Sequence, residues 1–331
     1  MKTRRTLLGL LGTALLADFP SLLAQQKERV WRVGILASRA RPESLESDFR
    51  YVQIRQELRE LGYIEGKNLV IDARFAGGNY VCLPELAAEL VKIPVDAILT
   101  DGTQAIRSAQ TATKTVPIVF VGGADLVASG FVKSLARPGG NTTGISLLLS
   151  DTIGKQIEML TRMAPGLSRL AVLFNPANDA HPALAKSYQS AGQMAKIEVL
   201  PVGARTAKEV EDAFSLAVKG HSQALIWIVD SFFNQQYRQI ASLSLEHRLP
   251  SMTGFPGYAD GGGLMCYGPS LPDLWARAVG YIDKIFKGAN PGELPVQQPI
   301  KLDLVINKKT ARSLGLEIPG ELLLLADKVI E

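Results

Sequence analysis

The sequence predicts an α/β protein of two lobes, each a mostly parallel sheet flanked by helices. Three observations lead there. Strand-like apolar runs alternate with helical patterns from residue 30 onward, the signature of parallel sheets covered on both faces. A turn-forming stretch, SLARPGGNTTG at residues 134–144, divides two such series of similar size. The chain has 331 residues, 47% of them hydrophobic. That length suits two domains of about 150 residues each.

The first series opens with VWRVGILAS, residues 30–38, a run rich in branched residues that ends in small polar ones. Behind it Leu45, Phe49, Val52, Leu58 and Leu61 recur at approximately helical spacing and stop at Gly62. NLVIDARFA reads as a second strand, and Leu83, Leu86 and Leu90 mark a helix with Pro84 early in it, where a missing donor does no harm. DAILTDG is a third strand, TQAIRSAQTATK a helix and VPIVFVGG a fourth strand. The second series runs from a helix around Ile153, Ile157 and Leu160 through the strands RLAVLFNP, KIEVLPV and ALIWIVD. Helices follow each, after His181-Pro182, over residues 210–218 and over residues 235–247. A glycine-rich interruption at residues 250–270 leads to one helical stripe of Leu274, Ala278, Ile282 and Ile285, then to NPGELPVQQP, the strand KLDLVIN and a short terminal helix. The tail is expected to return and complete both lobes. Lobe 1 would then comprise residues 30–142 with about 265–290, lobe 2 residues 143–264, and residues from about 291 to 331 would finish the two.

The first 26 residues, MKTRRTLLGLLGTALLADFPSLLAQQ, have a basic start, an apolar run over residues 7–16 and a small residue at Ala24. This is the layout of an export signal peptide over residues 1–24, and the run is too short to cross a bilayer of roughly 30 Å. Arg4-Arg5 followed by Thr6-Leu7-Leu8 resembles a twin-arginine signal. No cysteine lies near Ala24, which argues against a lipid anchor and for a soluble periplasmic product. The formal net charge of +4 is diluted over the chain, and residues 1–24 alone contribute +2, so charge gives no case for a nucleic-acid partner. Cys82 and Cys266 read as two separate thiols, with neither a disulfide nor metal-ligand spacing established by position.

In an open α/β sheet a ligand lies beyond the carboxyl ends of the strands, where helix N-termini offer backbone N–H groups. The loops so placed hold Ser38; Asp101, Gly102, Thr103 and Gln104; Gly123 and Asp125; Asn175; and Asp230 with Phe232. Thr103 and Gly102 suit a ligand carboxylate at a helix start, or a purely structural cap. Asp101 and Asp125 suit a ligand ammonium or a solvated turn. Asp230, just past an apolar strand, faces the cleft or caps the next helix. Phe255 and Tyr258, inside the glycine-rich interruption, suit an apolar ligand part or the packing of a hinge. Enzyme signatures are lacking: no phosphate loop, dinucleotide fingerprint, nucleophile elbow or Cys-x-x-Cys is present. His181, His221 and His247 read as surface or capping residues. No cofactor or metal is called for.

Nine stretches in order carry a family resemblance, among them ELRELGYIEGKNLVIDARFA, SLARPGGNTTGISLL, AVLFNPAN, ADGGGLMCYGPSLPDLWARA and KLDLVINKKTARSLGLEIP. With them the chain resembles, over essentially all of its mature length, ABC-transporter substrate-binding proteins of the tryptophan/tyrosine-type group, which have the type 1 periplasmic-binding fold. The resemblance implies a monomeric extracytoplasmic receptor whose lobes close on a small ligand, such as an aromatic amino acid. It would then deliver that ligand to a membrane permease with a cytoplasmic ATPase. It places Ser38, Thr103, Gln104 and Asp125 on one lobe, facing Asn175, Asp230 and Tyr258. The DGT turn departs from the Gly-Gly-Thr common in relatives, which puts the direction of Asp101 in question. Residues 138–144 and 254–263 are expected near the hinges. Two other classes fit the same lobes: a sensory protein reporting occupancy to a membrane receptor, and an exported hydrolase or isomerase using Asp101, Asp125 or Asp230 as base.

Overall fold

The computed structural model describes residues 29–331 apart from Ala124 and Leu148, so the expected export segment lies outside the described residues. The first sheet contains β1 (Trp31–Ala37), β2 (Leu69–Phe75), β3 (Ala97–Asp101), β4 (Ile118–Val121) and β5 (Thr142–Ile145), in the order β2-β1-β3-β4-β5 and parallel throughout. Helices α1 (Phe49–Glu60), α2 (Leu83–Lys92) and α3 (Thr103–Ala112) make the crossovers. After them come α4 (Ile153–Met163), β6 (Arg169–Phe174), α5 (His181–Met194), β7 (Glu198–Gly203), α6 (Ala207–Lys219), β8 (Ala224–Trp227), α7 (Tyr237–Glu246) and β9 (Ser251–Thr253). The chain ends with α8 (Gly257–Asp260), β10 (Met265–Pro269), α9 (Leu271–Phe286), β11 (Leu302–Asn307), α10 (Lys308–Ser313), α11 (Gly320–Leu325) and β12 (Lys328–Ile330).

The second sheet has the order β12-β11-β10-β9-β8-β6-β7, and only β10 and β11 run antiparallel. Its central strands are continuous apolar runs because helices cover both faces: residues of β8 and α4–α5 share one core, while Trp227 and Phe214 belong to another on the far side. In the first sheet α1 packs with α9, where Tyr51, Ile54 and Leu58 meet Leu274, Ala278 and Ile282. The stripe on α9 is the expected one. On α1 it is not: Phe49, Val52 and Leu61 are each more than 40% exposed. The partner helix, distant in sequence, selects the face Tyr51–Ile54–Leu58 instead.

The helix α9 returns to the first sheet, but the strand before it does not. Met265–Pro269 pairs with β9 and β11 in the second sheet, which corrects the expected start of the returning segment near residue 265. The chain therefore passes between the sheets at residues 146–152, at Ser270, and at residues 298–301. Neither residues 138–144 nor 254–263, the stretches expected near the hinges, carry it across; each lies within one lobe. Among the described residues no helix is long and apolar enough to cross a membrane.

Candidate functional site

The carboxyl ends of β1, β3 and β4 face the loops after β8, β9 and β10 across a cavity of ≈ 890 Å³, counted to the surfaces of its lining atoms and including its mouth. Its lining includes the apolar residues Val121, Leu147, Leu149, Val229, Phe255, Pro269, Leu271 and Trp275, together with polar and charged side chains.

To the polar and charged lining the first lobe contributes Ser38, Arg39, Arg50, Asp101 and the start of α3. Asp101 is held by its own lobe: its Oδ1 accepts the Ser38 N–H at 2.8 Å, its carbonyl accepts the Ser38 hydroxyl at 3.1 Å, and its Oδ2 lies 3.4 Å from Arg39 Nε. Arg39 also pairs with Asp48, which caps α1 by accepting the Arg50 N–H at 2.9 Å. Arg50 is different. Its side chain is only 17% exposed, yet among the described residues its guanidinium makes no hydrogen bond, and Asp48 Oδ1 lies 3.9 Å away. Burial first, then the charge of Arg39, lower its pKa from the ordinary guanidinium value.

Across the cavity Asp230 is buried and accepts four hydrogen bonds, three at Oδ1 and one at Oδ2. It accepts from Asn175 Nδ2 at 3.0 Å, Asn178 Nδ2 at 2.9 Å, the Phe232 N–H at 3.0 Å and the Tyr80 hydroxyl at 2.7 Å. Tyr80 comes from the first lobe, and burial together with the Asp230 charge pushes its pKa up, so it remains a donor. Under this carboxylate His181, 1% exposed, accepts the Asn175 N–H at Nδ1 and turns Nε2 to within 3.7 Å of Asp230. His181 is thus a buried support rather than a surface residue.

Further contacts join the lobes. The Ala40 N–H donates to Gln235 Oε1 at 3.0 Å, Gln104 Nε2 to the Ala177 carbonyl at 3.1 Å, and Arg107 Nε lies 2.9 Å from Asp179 Oδ2. Gly102 starts α3 at φ 77° and ψ 161°, a region that belongs almost wholly to glycine, and a Cβ there would stand 3.1 Å from Ser231 Oγ of the opposite lobe. The turn is built for close approach.

Of the twelve residues the sequence singles out, eight line the cavity: Ser38, Asp101, Gly102, Thr103, Gln104, Gly123, Asp230 and Phe255. Four do not. Tyr258 is fully buried in the second lobe, its hydroxyl 2.6 Å from Ser251 Oγ and 3.3 Å from Ser244 Oγ and its ring edge-on to Trp227 at 5.3 Å. Gly263 is what makes room for that ring, since a Cβ there would collide with it. Asp125 is exposed and closes its own turn by accepting the Ala128 N–H at 3.2 Å. Asn175 stands behind Asp230, and Phe232 packs on Phe233 at 5.4 Å. Sequence reasoning missed Arg39, Arg50, Tyr80 and Trp275. Arg50 did leave a signal, because a cation in the first turn of a helix opposes the helix dipole.

A family model described as ABC transporter substrate binding protein matches residues 46–330. The chain belongs to that family. A tyrosine-binding protein of Clostridioides difficile (strain R20291) is 27% identical over 260 residues, 78% of this chain and 74% of the relative. The crystal structure of an ABC domain in complex with L-Trp from Streptococcus pneumonia superposes with a TM-score of 0.82 at 24% identity, covering 91% of this chain and all of that one. A ligand-free, open substrate-binding protein with adhesive properties from Clostridium difficile gives 0.65 at 24% identity, over 91% of this chain and 99% of the other. These likenesses bear out the two-lobed α/β fold, and the family model places the chain among substrate-binding proteins.

Proposed function

We propose that this chain is the exported, periplasmic solute-capturing component of an ABC importer, a monomer whose lobes close on a small solute and present it to a permease driven by an ATPase. The observation that carries the reading is the cavity between the lobes, lined by both charged and apolar side chains, with the Tyr80–Asp230 hydrogen bond joining the lobes at its wall. Such a wall suits a carboxylate with an apolar or aromatic body, and the relatives named for tyrosine and L-Trp support that class. Closure raises the number of contacts a ligand makes, so occupancy shifts the lobes toward the closed arrangement. The chain acts by binding without turnover. Asp230 is buried and already accepts four protein donors, Asp101 is paired with Arg39, and Asp125 stands away from the cavity, so this reading gives none of the three the part of a base.

Isothermal titration of the purified protein against a panel of amino acids and aromatic and aliphatic carboxylates, with small-angle scattering on the same samples, tests this. Binding with compaction is expected. Failure to bind any member removes the capture reading, and binding without compaction removes closure.

A further inference from the structure

The loop from β6 into α5, residues 175–181, holds the first lobe in three ways. Its Ala177 carbonyl takes Gln104 Nε2, and its Asp179 faces Arg107. Its Asn175 and Asn178 both donate to Asp230, the carboxylate that accepts the Tyr80 hydroxyl. His181 pins this loop from within the second lobe. The ring takes the Asn175 N–H on Nδ1 at 3.0 Å, while the His181 backbone N–H donates to the Asn178 carbonyl at 2.9 Å. An accepting Nδ1 carries no hydrogen, so the imidazole is neutral with its proton on Nε2. That nitrogen makes no full hydrogen bond among the described residues; it turns toward the Val229 backbone and stands 3.7 Å from Asp230 Oδ2, which has one donor.

A second proton on this ring changes geometry as well as charge. Imidazolium has two donors and no acceptor, whichever way the ring is turned. The N–H of Asn175, a residue 2% exposed, then loses its acceptor and meets another donor. The new charge also draws Nε2 toward Asp230 Oδ2. Both effects displace the loop that holds the first lobe. The other ionisable groups around it are engaged elsewhere: Tyr80 with Asp230, Asp179 with Arg107 of α3, and Tyr188 of α5 with Gln156 of α4. Asp230 is the charge that bears on the ring, and burial outweighs it while the lobes touch.

We propose that His181 couples solute release to acid, taking up a proton as the lobes part and losing it as they close. This rests on the solute-capture reading above and adds a control to it. Parting the lobes frees the loop and lets water reach Asp230, so the open form holds the proton more tightly. Closure is then favoured above the open-form pKa and loses ground as pH falls through it.

L-tryptophan and L-tyrosine, whose charges change little between about pH 5.5 and 7.5, serve as probes in titration calorimetry; if neither binds, the tightest binder of the wider panel replaces them. Wild type is expected to bind roughly 3- to 30-fold more weakly at the lower pH, within the limit of about tenfold per pH unit for one proton. Buffers of different protonation heat should show up to one proton released per solute bound at intermediate pH. In His181→Asn the amide oxygen keeps an acceptor for the Asn175 N–H but does not titrate, so affinity should be level and proton release absent. A level wild-type affinity without proton release overturns this inference and leaves solute capture standing, as does a His181→Asn protein with the wild-type pH dependence. If that variant does not fold, His181 is followed directly as the one histidine left in His221→Asn/His247→Gln. Its ring NMR midpoint should fall when the probe is added, and a midpoint that stays in place overturns the inference. Absence of binding by the probes and the whole panel overturns both readings.

Discussion

Replacing Tyr80 by Phe removes one hydroxyl and nothing else, at a place where the two lobes touch. That hydroxyl donates to the buried Asp230 carboxylate at 2.7 Å, a bond that the proposed opening of the lobes would break. Once the lobes part, Tyr80 bonds to water, and Asp230 keeps its three donors from the second lobe, Asn175, Asn178 and the Phe232 N–H. The lost interaction therefore belongs to closure alone. A hydrogen bond to a charged acceptor contributes about 1.5–3 kcal/mol net, so the closed-to-open ratio should fall roughly 10- to 150-fold. Where the open form dominates without ligand, apparent affinity falls by the same factor. Trp275 lines the cavity and supplies a fluorescence signal for stopped-flow release, and titration calorimetry gives the equilibrium. A faster off-rate with an unchanged melting temperature is expected. The exposed Arg107–Asp179 pair is the control: its side chains are 43% and 57% exposed, so Asp179→Asn should cost under about 1 kcal/mol. A Tyr80→Phe protein with affinity and release rate within about threefold of wild type would refute the reasoning.

Tyr258→Phe should lower unfolding free energy by about 1–2 kcal/mol in denaturant titrations, because the hydroxyl serves two buried serines, and should leave ligand affinity alone; a loss of affinity would return Tyr258 to the cavity. His181 is held neutral, its pKa pulled below 6.5 by burial against the opposing charge of Asp230. Its contribution to stability is complete above that value and is lost as pH falls through it, at no more than about 1.4 kcal/mol per pH unit. His181→Asn should flatten the drop in denaturant midpoint between about pH 7.5 and 5.5, and an unaltered drop would rule the histidine out. Cys266 is buried, with its thiol pushed up to about 12, whereas Cys82 is partly exposed. Ellman's reagent should titrate one thiol in the native protein and two after denaturation; rapid modification of both in buffer would contradict the burial.

Much of the frame was legible because parallel strands buried on both faces leave long apolar runs, and because their carboxyl ends bound the cavity. That rule reached Ser38, Asp101 and Asp230. It could not reach Arg50, which enters from the side of a helix, or Trp275, which arrives only because the chain crosses back to the first lobe after Ser270. Strand ends also overreach. Asn175 sits at one yet serves Asp230, and Asp125 follows another but turns to its own backbone at φ 39°. Tyr258 misled for a different reason. Its glycines looked like those of a connector, when Gly263 exists to admit the ring. On α1 the periodicity was real but the buried side was set by α9, more than 200 residues further on.

The places where the chain passes between lobes are laced to one another. The Ser146 N–H donates to the Gln297 carbonyl at 2.8 Å, the Gln297 N–H to the Gly144 carbonyl at 3.0 Å, and Arg277 of α9 reaches the Gln297 side chain at 2.8 Å and the Gln298 carbonyl at 3.0 Å. A single linking strand would let two bodies swivel in any direction. Three crossings, two of them stitched side by side, resist twist and slide, and leave bending about one line as the soft motion. Whatever touches both lobes from outside then has a single angle to read.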